Sequence, residues 1–411
     1  MFKRIIITVI WGLSSLVLFA GNPVKRTFNS GGYNREYLLY TPENPHYEHP
    51  SGIIVCLHGF NRTMEDFFNE YNLSEIANSL NYILLTPQAL PEQDSKIISD
   101  AYLISLLSDN NLFLNSVWSC GLRVKAGFYL LGGYISLLDE ALNKTVDDVG
   151  FIASIIDQTR NEYGLTKENT FVFGTSMGGY MAYQFALEQG DDLSGLISVA
   201  GSMGLSVKGT ENRIKTPICD FHSVTDEVVP YTGSYVQSGI SISLAQDKQT
   251  VLDYWAKNNF TGNPSVENVA YYPSNNGITV EKITYPAPVY EVIHYKINGA
   301  GHNYFFRKEN GDCMDHIEET LKFIQTHTSG NSSGIKNVPV SALAFYPNPA
   351  QDIIHFEIVE GNVFISDLAG KKILSQSFRS GQLNISSLKP GIYIIRIQSR
   401  GNSQTTKLIK R

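Results

Sequence analysis

Residues 171–180 read FVFGTSMGGY, and the fold follows from how these ten residues are understood. Gly174-Thr175-Ser176-Met177-Gly178 fits Gly-x-Ser-x-Gly, a pattern in which a strand turns sharply into a helix and the serine sits at a strained apex. Side chains at the glycine positions would collide with strand and helix backbone. The pentapeptide alone is a modest signal. Its setting adds weight: the apolar run Thr170–Gly174 directly precedes it and helical spacing over Tyr180–Gln189 directly follows. The plain alternative is a glycine-rich turn with an idle serine.

Outward from the turn, strand-like and helix-like segments alternate from Asn22 to about His327. Tyr37–Tyr40, Ile53–His58, Tyr82–Thr86, Gly195–Ala200, Ile218–His222 and Val292–Ile297 read as strands; Asp66–Leu80, Val146–Tyr163, Thr250–Asn258 and Met314–Thr326 read as helices. This alternation predicts an α/β fold, a mostly parallel sheet with helices on both faces. The 411 residues are 43% hydrophobic and 17% charged, enough to build a core and too apolar for general disorder. Lys plus Arg is 32 and Asp plus Glu 39, a net charge of −7 without a long basic run, which argues against a nucleic-acid partner held through its phosphates. Four cysteines are too few for a disulfide scaffold or a cysteine-rich metal site.

A serine hydroxyl needs a base to become a nucleophile at neutral pH. Of the nine histidines, His302 lies in Asn298-Gly299-Ala300-Gly301-His302-Asn303, a loop between a strand and the final helix, from which its ring can reach Ser176. The base needs an orienting carboxylate. Asp226 lies just past the strand ending at His222, with Glu227 as its main rival, whereas Asp220 falls inside the strand. The order Ser176, Asp226, His302 is the order used by folds with this elbow. An acyl-transfer oxyanion needs two preset N–H donors. Met177 offers one, and Phe60, in His58-Gly59-Phe60-Asn61 after a strand, offers the other.

Together these segments resemble the α/β-hydrolase superfamily, more narrowly the secreted polyhydroxybutyrate depolymerase and feruloyl/acetylxylan esterase group. Leu57-His58-Gly59, Trp118-Ser119-Cys120-Gly121, Val146-Asp147-Asp148-Val149-Gly150-Phe151, Gly174–Gly179, Thr225–Tyr231 and Gly299–His302 match that group in order, over about residues 30–326. The resemblance implies a Ser176, Asp226, His302 triad, no cofactor and no metal, with Trp118 near the site as a substrate-binding residue. Asp147 and Asp148 read as caps at a helix N-terminus. Residues 122–142 depart from the group's pattern. They read either as an apolar flap shaping an acyl or aryl pocket or as an extra surface helix.

After His327 the composition shifts. Residues 327–336 read HTSGNSSGIK, a linker, and beyond it short alternating strands predict a small all-β sandwich. Phe345–Ala350, Val363–Lys371 and Leu388–Tyr393 resemble the C-terminal sorting module of the type IX secretion system of Bacteroidetes, which implies that export machinery as a partner. At the other end, Lys3 and Arg4 precede an apolar run from Ile5 to Ala20, read as a cleaved signal peptide that leaves no stable membrane span. The expected plan is a signal peptide at 1–21, a hydrolase domain at 22–328, a linker at 329–340 and a sorting domain at 341–411, in a protein secreted or held at the cell surface. Cys56 and Cys219 are expected buried in strands, and Cys120 and Cys313 could pair. The activity expected is a serine carboxylic ester hydrolase acting on acyl or feruloyl esters of plant polysaccharide. A polyester depolymerase, a serine peptidase and a non-catalytic binding protein are the alternatives.

Overall fold

The computed structural model describes residues 21–43, 49–94, 114–130, 133–206, 215–237, 239–303, 306–329, 345–356, 361–367, 371–379, 381–399 and 402–411. All of the expected signal peptide but Gly21, and most of the expected linker, lie outside them. The chain forms two compact units, Met1–Asn331 and Ser332–Arg411.

In the first unit the elements run β1 (Val24–Ser30), β2 (Tyr33–Tyr40), β3 (Gly52–Leu57), α1 (Met64–Glu70), α2 (Leu73–Leu80), β4 (Tyr82–Pro87), β5 (Arg123–Leu130), β6 (Gly133–Ala141), α3 (Asp148–Tyr163), β7 (Thr170–Thr175), α4 (Met177–Gln189), β8 (Gly195–Val199), β9 (Ile218–Ser223), β10 (Ser234–Gln237), β11 (Ile240–Ser243), α5 (Lys248–Asn258), β12 (Ser265–Val269), β13 (Thr279–Tyr285), β14 (Val292–Asn298) and α6 (His316–His327). Ten strands make one sheet in the order β1-β2-β4-β3-β7-β8-β9-β14-β13-β12. The run from β4 to β14 is parallel, and antiparallel pairs close both ends. Period-two alternation explains the two-sided core. Ile53, Val55 and Leu57 of β3 enter one apolar cluster with α3 and α4, while Ile54 and Cys56 enter another with α1, α2 and α6. This is the core of an α/β-hydrolase fold.

The strand order reverses between β3 and β7. The loops that leave their C-terminal ends therefore splay apart and open the crevice where α/β sheets place their sites.

Local sequence explains several boundaries. The helical spacing over Asp66–Leu80 divides into α1 and α2 because Asn72 takes a left-handed conformation, φ 47°, between them. Asp147 caps α3 by accepting the Gly150 N–H, as its position suggests. Asp148 is not a cap. It is fully buried, paired with Arg35, and accepts the Ser119 N–H at 2.7 Å.

The described residues of 122–142 form no helix. They make the hairpin β5–β6, which joins β10 and β11 in a second sheet, order β10-β11-β5-β6. The alternation of β5 buries Val124 and Ala126, while Tyr129 and Leu130 near its tip stay exposed. All four cysteines are free and buried. Cys120 belongs to the cluster on one face of the main sheet and Cys313 to the cluster on the other, so the sheet separates the pair that could have joined.

Two buried histidines make the first unit acid-sensitive. His58 donates from Nδ1 to the Gly59 carbonyl and accepts the Ala89 N–H at Nε2. His316 sits against the Phe306 carbonyl. Burial pushes both rings down from 6.5 to about 4. The folded state thus keeps them neutral where the unfolded chain takes up protons, so stability falls as pH drops through the unfolded value and is lost progressively down to about 4. The expected loss is roughly 3 kcal/mol per ring across that window. Denaturant melts at pH 7 and pH 4.5 check it, with His58→Gln and His316→Gln each flattening the dependence.

The described residues of the second unit form a three-stranded sheet, Phe345–Tyr346, Ile353–Phe356 and Gln382–Asn384, and a four-stranded sheet, Lys372–Phe378, Gly361–Ser366, Gly391–Ser399 and Asn402–Lys410. Ile354, Phe356 and Leu383 from the first sheet and Val363, Ile365, Ile395, Ile397 and Leu408 from the second share one core, which makes it a small all-β sandwich.

Candidate active site

Ser176 links β7 to α4 with φ 52° and ψ −122°, a conformation that costs a non-glycine residue about 1–3 kcal/mol. The surroundings enforce it. Its N–H is bonded to the Val199 carbonyl at 2.8 Å. A Cβ on Gly174 would lie 2.1 Å from the Gly178 carbonyl oxygen, and one on Gly178 would lie 2.0 Å from that of Leu57. The glycines are thus what lets α4 start against β3 and β7, and the helix start is what aims Ser176 outward from the sheet end.

Ser176 Oγ lies 3.1 Å from His302 Nε2, and His302 Nδ1 lies 2.8 Å from Asp226 Oδ2. The three side chains expected from the sequence therefore meet. His302 is carried by the loop after β14, where Gly299 and Gly301 take left-handed conformations, φ 88° and 62°. Three consecutive residues after β9 grip this loop. Thr225 Oγ1 accepts the Gly301 N–H at 3.3 Å, Asp226 meets the imidazole, and Glu227 Oε2 accepts the His302 N–H at 3.1 Å. Glu227, the rival carboxylate, holds the backbone of the histidine and leaves its ring to Asp226.

Asp226 Oδ1 accepts the N–H groups of Val228 and Val229 at 2.9 and 2.7 Å. Burial alone would raise this carboxyl, but hydrogen bonds from His222 and His302 overcome it and hold the group well below the usual carboxylate range. It stays ionised. Asp220 turns away from the site, as its place inside β9 suggests. Its carboxylate receives Tyr183 Oη and Lys248 Nζ at 3.0 Å each and His294 Nδ1 at 2.8 Å, all buried. That network ties β9 to α4, α5 and β14.

The loop after β3 lies against the elbow: a Cβ on Gly59 would be 3.4 Å from the Ser176 Cβ. Phe60 follows Gly59 and Met177 follows Ser176, so the two expected N–H donors flank this contact. The loop is pinned by Asn61 N–H to the Ser116 carbonyl, 3.0 Å, and by Arg62 N–H to the Gly59 carbonyl, 3.3 Å.

Trp118 differs from expectation. It is fully buried, so it offers no face to a substrate. Its indole Nε1 donates to the His58 carbonyl at 2.9 Å and its ring packs on His58 at 4.9 Å. A tryptophan beside an active-site motif does not disclose from sequence whether it faces the cleft or the layer behind. Trp118→Phe is expected to leave the His58 carbonyl unpaired, lower stability by about 1–2 kcal/mol, and slow catalysis without changing preference among acyl chain lengths. Thermal melts and kcat/KM over a series of p-nitrophenyl esters check this; a changed acyl preference would restore Trp118 as a substrate contact. His58, Thr225 and Glu227 are the positioning groups that sequence reasoning did not single out for these contacts. The only trace of the last two is their adjacency to Asp226.

Residues 139–257 match the phospholipase/carboxylesterase family model, and residues 344–411 match the secretion system C-terminal sorting domain. Among solved structures, an acetyl xylan esterase from Aspergillus awamori is 14% identical, with 73% of this chain and 99% of that one covered and a TM-score of 0.46. An S-formylglutathione hydrolase from Agrobacterium tumefaciens is 11% identical, with 74% and 95% covered and a TM-score of 0.45. No curated protein sequence matches the chain. The first unit has an α/β-hydrolase fold, within which residues 139–257 are similar to the phospholipase/carboxylesterase family, and residues 344–411 match a sorting domain that marks the chain for secretion or the cell surface. Among the described residues no helix is long and apolar enough to cross a membrane.

Proposed function

We propose that the chain is a secreted serine carboxylic ester hydrolase that works through an acyl-enzyme. The observation that carries this reading is the continuous line of hydrogen-bonding distances from Ser176 Oγ through His302 to Asp226. In the proposed cycle Ser176 attacks the ester carbonyl as His302 Nε2 takes its proton. Asp226 fixes the tautomer that leaves Nε2 free to accept and stabilises the imidazolium that forms. The N–H groups of Met177 and Phe60 receive the developing oxyanion. His302 then protonates the departing alcohol, and a water activated by the same ring releases the acid. The Met177 N–H suits this role because the first N–H groups of a helix have no partner within it and lie at the positive end of its dipole. The type IX machinery is the proposed route of export.

For the substrate we propose an acyl or feruloyl ester of plant polysaccharide, on the strength of the motif resemblance. A surface cavity of about 510 Å³, lined among others by Asn34, Glu36, Asn61, Arg62, Gln88 and Ser116, offers polar and charged groups to a hydroxyl-rich chain, and no triad residue lines it. A second reading, an insoluble polyester, is favoured by the hairpin tip, where Tyr129, Leu130, Tyr134 and Ile135 are exposed together. Acid release from acetyl-xylan, methyl ferulate and polyhydroxybutyrate separates them. Activity confined to the polyester would overturn the polysaccharide reading. A fluorophosphonate probe that fails to label Ser176 in the wild-type chain would overturn the enzymatic reading and leave a binding protein on this fold.

A further inference from the structure

We propose that His222 is a positioning residue for the triad, an imidazolium protonated at both ring nitrogens that holds Asp226 Oδ2, the oxygen His302 also meets. His222 lies near the end of β9 and is buried. Its Nδ1 faces the Gly201 carbonyl at 2.9 Å, and its Nε2 faces the Val229 carbonyl at 2.8 Å and Asp226 Oδ2 at 3.4 Å. All three are acceptors. A neutral imidazole has one N–H and one lone pair, so in either tautomer one ring nitrogen would oppose a carbonyl lone pair. Only the doubly protonated ring satisfies both ends.

A buried cation requires a counter-charge, and the neighbouring groups supply one. On its own strand is Asp220. From α5 comes Lys248, whose Nζ donates to the same Gly201 carbonyl at 2.7 Å. From β14 comes His294, and Tyr231 sets its ring edge-on to His222 at 5.7 Å. Asp220 is matched by Lys248 at 3.0 Å, and His294 is engaged by Asp220 and by Tyr231 Oη at 2.9 Å. Asp226 remains as the carboxylate that balances His222, and His302 meets the same oxygen. Two carboxylates then face two buried cations, Lys248 and His222.

The consequence reaches the base. With Oδ1 fixed by two backbone N–H groups, attraction from both rings on Oδ2 sets the carboxylate plane. The His222 charge also compensates part of the negative field that Asp226 exerts on His302. Without that charge the field is stronger and favours the charged form of His302, which cannot accept the Ser176 proton. This kinetic consequence, though not the protonation itself, rests on Ser176 being the nucleophile.

The test uses the full chain as wild type, His222→Gln and His222→Lys. In long-range ¹H–¹⁵N spectra of histidine-labelled protein at neutral pH, one ring, absent from both variants, is expected to show the imidazolium pattern; a neutral tautomer pattern for that ring would overturn the proposal. Fluorophosphonate labelling of Ser176 is then followed against pH. The acid limb for His222→Gln is expected to move up by about one pH unit, so that labelling on that limb is about tenfold slower, while His222→Lys stays near wild type. An unmoved limb in His222→Gln would also overturn it. Absence of labelling in the wild type would instead remove the nucleophile assignment, and the spectra alone would then decide the state of the ring. If His222→Gln fails to fold, the spectra assigned with His222→Lys decide in the same way.

Discussion

Ser176→Ala is expected to lower kcat/KM for p-nitrophenyl acetate by about 10⁴- to 10⁶-fold and to abolish fluorophosphonate labelling. The size follows from what is removed. The hydroxyl is the only group in the arrangement that can form the acyl bond, while the N–H donors and the cleft persist and leave the residual rate. The fold should stand. The elbow is enforced by glycine contacts and by the bond between the Ser176 N–H and Val199, none of which uses the hydroxyl. The melting temperature should therefore stay within a few degrees of wild type, since the strain of φ 52° is carried equally by alanine. Steady-state kinetics and a thermal melt on the same preparation check both halves, and wild-type hydrolysis by the variant would refute the nucleophile.

The second large effect is expected from Asp226→Asn, a drop in kcat of about 10⁴-fold with KM little changed. Asparagine keeps an oxygen for the Val228 and Val229 N–H groups, so the loop geometry survives. Its NH₂ then faces His302 Nδ1 and stabilises the tautomer that protonates Nε2, the atom that must accept the Ser176 proton. Charge stabilisation of the imidazolium is lost at the same time. Glu227→Gln serves as the comparison. Its carboxylate touches only the His302 backbone N–H, and an amide oxygen can accept that bond, so its effect should be under tenfold. Equal losses in the two variants would show that loop anchorage, and not the charge on Asp226, dominates.

Much of the site is legible in the chain because its parts are local. The elbow announces itself in a short motif: a Cβ on Gly174 would overlap the Gly178 backbone within the turn, and one on Gly178 would overlap the neighbouring strand at Leu57. The strands around it are short apolar runs of the kind a two-sided parallel sheet requires. Where the sequence reading stopped short, the missing information was long-range. The sequence of the hairpin β5–β6 does not declare a strand pair because its apolar residues serve two environments, the core at Val124 and Ala126 and solvent at Tyr129 and Leu130. Strand β1 and the strands β10 to β13 lack long apolar runs, since they lie at or near sheet edges or in the second sheet and many of their positions face water.

Composition, the change of pattern after His327 and the Gly-x-Ser-x-Gly turn determined the fold class, the second β module and the candidate nucleophile, because each depends on neighbours a few positions away. Only the tertiary structure decided which carboxylate faces the imidazole ring, that Trp118 lies behind the site, that Cys120 and Cys313 are kept apart by the sheet, and that His222 stands behind Asp226. The contacts that bring Ser176, His302 and Asp226 together join residues 126 and 76 positions apart. Chain separations of that size are closed by the packing of the whole sheet, and no local preference along the sequence encodes which of two adjacent carboxylates will be aimed at a ring.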